Sequence, residues 1–81
     1  MGSTPSPRVT VYAAAGCSLC ESALEVVREV CGDAFAHVDI GGDPELEARY
    51  RERIPVVAVD GADAFTYFVQ PDALRERLAA R

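Results

Sequence analysis

Cys17, Cys20, Cys31 and His37 are the thiols and the imidazole of this sequence. Cys17 and Cys20 enclose Ser18 and Leu19 in a C-x-x-C pattern. Two intervening residues let both sulfurs meet across one helical turn, the spacing of a dithiol that opens and closes a disulfide. Three sulfurs and an imidazole also form a legitimate zinc set. Distance separates the two readings. Cys20 and Cys31 fall on one helical stretch, eleven positions apart, which is about 16 Å at ~1.5 Å per residue. A zinc ion ~2.3 Å from each sulfur needs them within about 4 Å of one another. The spacing therefore points to a redox pair, and metal binding requires the helix to break. No metal ligand is assigned and no cofactor is expected.

The elements that must hold this pair can be read around it. Arg8 to Tyr12 is β-branched and aromatic, a strand pattern. Ala13 to Gly16 is a small-residue loop. From Ser18 to Val30 the apolar period is helical. Leu19, Cys20, Ala23, Leu24, Val26, Val27, Val30 and Cys31 share one arc, while Glu21, Ser22, Glu25, Arg28 and Glu29 share the other. Gly32 stands where a left-handed helix cap belongs. Phe35 to Ile40 reads as a second strand. Asp43 and Pro44 open a short helix running to about Glu52, an N-cap acceptor followed by a residue that needs no N–H there. Pro55 to Val59 is a third strand, with proline at the position a strand tolerates. Asp60-Gly61 is a two-residue hairpin turn, and Ala64 to Val69 follows as the fourth strand. Pro71 opens a last helix with Leu74 and Leu78 inward.

The order β-α-β-α-β-β-α gives an α/β fold. The first β-α-β unit implies parallel strands with a right-handed crossover, and the Asp60-Gly61 turn implies an antiparallel pair. The expected result is a four-stranded mixed sheet flanked by helices. Residues 8–81 make one domain, and Met1 to Pro7 reads as a flexible tail without the pattern of a signal peptide.

Cys17 sits where the first strand hands over to the first helix. The unpaired N–H groups and the positive end of the helix dipole favour an anion there, and the thiolate is the reactive form of a cysteine. Cys20 lies within the apolar arc, and Cys17 lies at its edge. Cys17 is therefore expected as the exposed nucleophile and Cys20 as the shielded resolving thiol. Cys31, near the far end of the same helix, reads as a small hydrophobe. His37 shares a strand face with Phe35 and Asp39 and receives no role. Glu21 stands three residues after Ser18, a capping-box spacing; helix capping is preferred over a proton relay to Cys20.

Composition narrows the partners. The net charge is −5, lysine is absent, and the arginines are scattered, so nucleic acid and anionic membranes are not expected partners. No apolar run approaches the ~20 residues needed to cross a bilayer. A reducing, cytoplasmic setting and a monomer are expected.

Val9-Thr10-Val11-Tyr12, Gly16-Cys17-Ser18-Leu19-Cys20-Glu21, Ile54-Pro55-Val56-Val57 and Phe65-Thr66-Tyr67-Phe68-Val69-Gln70-Pro71 together resemble small bacterial glutaredoxin-like proteins of the thioredoxin superfamily. The resemblance covers nearly all of Arg8 to Leu78. It implies a thioredoxin-like fold and a cis Ile54–Pro55 bond. It also implies a proline lying against the dithiol and an Ile54 backbone that pairs with the substrate chain. The implied activity is thiol–disulfide exchange on protein or low-molecular-weight disulfides, with a reductant the sequence does not name. A thioredoxin-fold binding module with little turnover, or a carrier of metal or an iron–sulfur cluster on the same cysteines, are the alternatives. Two features of many glutaredoxins are not matched. Ala14 stands where they carry a lysine, and Phe65 to Phe68 reads as continued strand where they carry a Gly-Gly turn. Weak direct binding of glutathione is expected from both.

Overall fold

The computed structural model describes residues 7–80. Its elements are β1 (Val9–Ala13), α1 (Ser18–Cys31), β2 (Phe35–Asp39), α2 (Pro44–Tyr50), β3 (Val56–Val59), β4 (Ala62–Thr66) and α3 (Pro71–Ala79). The sheet order is β2-β1-β3-β4. β1 runs parallel to β2, while β3 is antiparallel to both β1 and β4. This is the thioredoxin-like arrangement, a mixed sheet with helices on its faces. The tail expected over Met1–Pro7 lies outside the described residues except for Pro7. Among the described residues no helix is long and apolar enough to cross a membrane.

Alternation along β1 sends Val9, Val11 and Ala13 to one face, where Ala23 and Val27 of α1 and Leu74 of α3 meet them in the larger core. Thr10 and Tyr12 point the other way. There Tyr50 of α2 stacks on Tyr12 with ring centroids 4.4 Å apart, and Ile40 and Val56 complete a second, smaller core. Asp43 caps α2 as its residue type requires, accepting from the N–H groups of Glu45 and Leu46 at 3.1 and 3.2 Å. Arg8 clamps Asp60 with two bonds of 2.8 and 2.9 Å, tying the start of β1 to the hairpin turn.

Four local expectations are corrected. α2 ends at Tyr50 rather than near Glu52. The N-cap of α1 is Cys17, one residue before the Ser18 of the capping-box spacing, because the cysteine sulfur takes the capping bond. Leu19, expected on the buried arc, is exposed; it lies in the first turn of α1 and borders a hollow. The fourth strand is Ala62–Thr66, not Ala64–Val69. Asp60 and Gly61, with φ of +53° and +84°, form so tight a loop that Ala62 already opposes Val59. The register then shifts between Val57 and Ala58. At Tyr67 the chain leaves the strand with φ +66°, so of Phe65 to Phe68 only Phe65 and Thr66 continue the strand. One of the two grounds for weak glutathione binding is thereby narrowed to Phe65 and Thr66; Ala14 in place of lysine remains.

Candidate active site

The loop after β1 turns at Gly16, whose φ of +77° suits a residue without a side chain. It delivers Cys17 in extended conformation to the tip of α1, where Sγ accepts the backbone N–H of Cys20 at 3.2 Å. The carbonyl of Cys17 accepts from Glu21 at 3.1 Å and starts the helix. An N–H aimed at this sulfur offers a partner to a negative charge on it. Cys17 is half-buried, whereas Cys20 is 1 % exposed within the main core. Burial, more than the hydrogen bond and charge of Cys17, pushes the Cys20 thiol up to about 11; a backbone hydrogen bond at Ala14 works against the rise. Both sulfurs are free thiols. The arrangement is asymmetric: one reachable sulfur with an amide partner, and one sulfur that stays protonated until something draws its proton away.

The sheet register gathers a second set of residues at this same end. Tyr12 opposes Val56, and Val56 opposes Thr66. Pro55, just before β3, and Tyr67, just after β4, therefore stand where β1 exits toward Cys17. Pro55 is buried and the Ile54–Pro55 bond is cis. Ile54 is half-buried and packs against both cores, and Cys17 packs against the larger one. The Pro55 carbonyl accepts from the N–H of Tyr67 at 2.9 Å, and the Tyr67 hydroxyl donates to the carbonyl of Glu52.

Two hollows flank the first turn of α1. One, of about 220 Å³, runs between Leu19, Ser22 and Val26 of α1 and the turn Tyr67-Phe68-Val69. Leu19, Tyr67 and Phe68 are the exposed large hydrophobic side chains among the described residues, and Phe68 is 69 % exposed. The other, of about 240 Å³, brings Cys20 together with Glu21, His37 and Asp39. His37 comes there because it pairs in parallel register with Val11, on the face that α1 covers. A further hollow, about 480 Å³ between Arg8, Tyr12, Arg49 and Asp60, is on the α2 face and away from the thiols. Among the described residues no three of His, Cys, Asp or Glu are grouped to hold a metal ion, and Cys31 sits at the opposite end of α1 from Cys20.

Sequence reading overlooked Tyr67. Its alternation with Phe65 and Val69 looked like strand, and nothing short-range marks a tyrosine that adopts positive φ. The available signal was Pro71, which needs a turn ahead of the helix it opens.

A model of the glutaredoxin-like domain family (DUF836) matches residues 8–79. This chain belongs to that family. A glutaredoxin-like domain of this kind is similar to the uncharacterized protein Rv0508 of Mycobacterium tuberculosis, with 30 % identity over 81 residues, covering 90 % of this chain and 84 % of that protein. Among solved structures it resembles XcR50 from X. campestris, with a TM-score of 0.79 and 31 % identity over 90 % of this chain and 97 % of that one. It also resembles Ne2328 from Nitrosomonas europaea, with a TM-score of 0.65 and 28 % identity over 95 % and 98 % of the two chains. The Cys17–Cys20 pair of this glutaredoxin-like domain stands at the head of α1, as in thioredoxin-fold active sites.

Proposed function

We propose that this protein is a thiol–disulfide oxidoreductase in which Cys17 is the nucleophile and Cys20 the resolving thiol. The observation that carries the reading is the Cys20 N–H directed at Cys17 Sγ, 3.2 Å away, at the tip of α1. The Cys17 thiolate attacks one sulfur of a substrate disulfide. A Cys17–substrate disulfide forms, the substrate S–S bond breaks, and the first substrate sulfur leaves as thiolate to take a proton. Cys20 then loses its proton and attacks Cys17 Sγ. The Cys17–Cys20 disulfide closes and the second substrate thiol leaves. Two electrons pass from the dithiol to the substrate, and an external thiol reductant restores the pair. Ile54 and Pro55 form the edge against which the substrate lies, and the Ile54 backbone can pair with an extended chain as an added strand does. The protein acts as a monomeric single domain in a reducing, cytoplasmic setting on protein or low-molecular-weight disulfides.

The test is reduction of insulin and of hydroxyethyl disulfide by the parent chain and by Cys17→Ser, with dithiothreitol as reductant. The parent should turn over both and Cys17→Ser neither. A parent chain no faster than dithiothreitol alone would sink the assignment.

A further inference from the structure

Tyr67 has a non-glycine side chain on a left-handed backbone, φ +66°, a conformation that persists where its surroundings hold it. What holds it is one short stretch of chain. Its N–H donates to the Pro55 carbonyl at 2.9 Å, and its hydroxyl donates to the Glu52 carbonyl. Between those two carbonyls lie Arg53 and Ile54. Tyr67 thus straddles the connection from α2 to β3, gripping it on both sides of Ile54. On the α2 side the Arg53 N–H bonds the Tyr50 carbonyl at 2.8 Å, and the Arg53 guanidinium lies 3.6 Å from Asp63. Arg53 and Glu52 are exposed, so the first half of this connection is held by those bonds, while Ile54 and Pro55 are packed against the cores. The ring of Tyr67 remains partly exposed and lines the hollow it shares with Leu19 and Phe68.

We infer that Tyr67 is a positioning residue for protein substrates. It fixes the Glu52–Pro55 connection so that the Ile54 backbone is presented at a set distance from Cys17. The inference rests on the proposed oxidoreductase reading and adds to it a discrimination between substrates. A disulfide in an extended polypeptide must align with the Ile54 backbone as well as reach Cys17. A small disulfide needs only the sulfur. Loosening the connection therefore weakens the first and leaves the second.

Tyr67→Phe removes the hydroxyl and keeps the ring, the backbone N–H and the turn. With insulin as substrate, kcat/KM should fall about 5- to 10-fold, through KM more than kcat; with hydroxyethyl disulfide it should stay within about twofold. Amide hydrogen exchange at residues 52–54 should quicken in the same variant. Tyr67→Gly, which suits the positive φ, should show the same split with a larger loss on insulin. Unchanged kinetics with both substrates overturns the inference. Equal losses on both also overturn it, since they indicate a general weakening of the fold. If the parent turns over both disulfides and only the variants fail to discriminate, the inference alone is lost. If the parent turns over neither, the oxidoreductase reading fails and the role of Tyr67 falls with it.

Discussion

Helix α1 carries a thiol at each end, and the two ends treat the same side chain differently. At the N-terminal end Cys17 is itself the cap, with a backbone N–H turned onto its sulfur. At the C-terminal end Cys31 is the last helical residue, and the next N–H, from Gly32, is taken by the Arg28 carbonyl at 2.8 Å. Unpaired amides gather at the first end and carbonyl oxygens at the second, so a negative sulfur finds partners at one and repulsion at the other. Cys31 is half-buried among Val9, Val30 and Leu78, and that burial raises its pKa. On the proposed reading, reactivity is a property of the backbone around a cysteine more than of the cysteine. The apolar moment of α1 puts Cys20 and Cys31 on a common face, yet only the first has a sulfur neighbour within one turn.

The largest effect expected from this contrast is in turnover. Cys17→Ser should lower disulfide reduction to background. Cys20→Ser should still form a mixed disulfide with substrate but fail to release it. Cys31→Ser should keep kcat/KM within about twofold of the parent. Brief treatment with iodoacetamide, followed by peptide mass analysis, should find Cys17 modified first. Label on Cys31 before Cys17 would reverse the assignment of the two ends.

The next effect is a pH dependence of stability in the reduced state. The Cys20 thiol is pushed up to about 11 in the folded protein, against about 8.5 for a free cysteine. Between those values the folded chain holds a proton that the unfolded chain has released. Stability from this group is therefore complete below about pH 8.5 and lost as the pH rises toward 11, by roughly 3 kcal/mol. Urea titrations at intervals across that window should show the fall in the reduced protein. With the Cys17–Cys20 disulfide closed, or in Cys20→Ala, most of it should vanish. An equal decline in reduced and oxidised protein would place its origin elsewhere.

How far the sequence could be read differs along the chain for physical reasons. Cys17, Cys20, the Asp43-Pro44 helix start and the Asp60-Gly61 turn were legible because each is a short-range device whose residue types suffice. The β-α-β-α-β-β-α order followed from those markers and from apolar period. The misread places depend on partners distant in sequence. Ala62 and Asp63 have little strand character, and they pair only because the tight turn lays them against Val59 and Ala58. Tyr67 turns because the chain must reach α3, and it stays turned through bonds to Pro55 and Glu52. Leu19 has the right phase for the core, but it borders a hollow and stays exposed. His37 gave no local hint of Cys20, since it is the parallel register with β1 that carries it there.

The smallest effect belongs to Cys31 alone. Cys31→Ala removes one sulfur from a half-buried position at the end of α1. It lines an open apolar hollow with Val9, Val30 and Leu78, where solvent and neighbouring side chains can take up the vacated space. Large cavity costs arise where the surroundings cannot relax, so the loss should be only about 0.5–1 kcal/mol, partly offset by the better helix propensity of alanine. For a domain of this size that corresponds to a thermal midpoint lower by about 2–8 °C. Turnover should be unchanged, because neither the sulfur nor any bond it makes reaches the Cys17 end of the helix. A thermal melt and an insulin assay on the same sample settle both halves. A variant that melts as expected but loses more than about twofold in kcat/KM would mean that the two ends of α1 are coupled, and that Cys31 is more than a small apolar side chain.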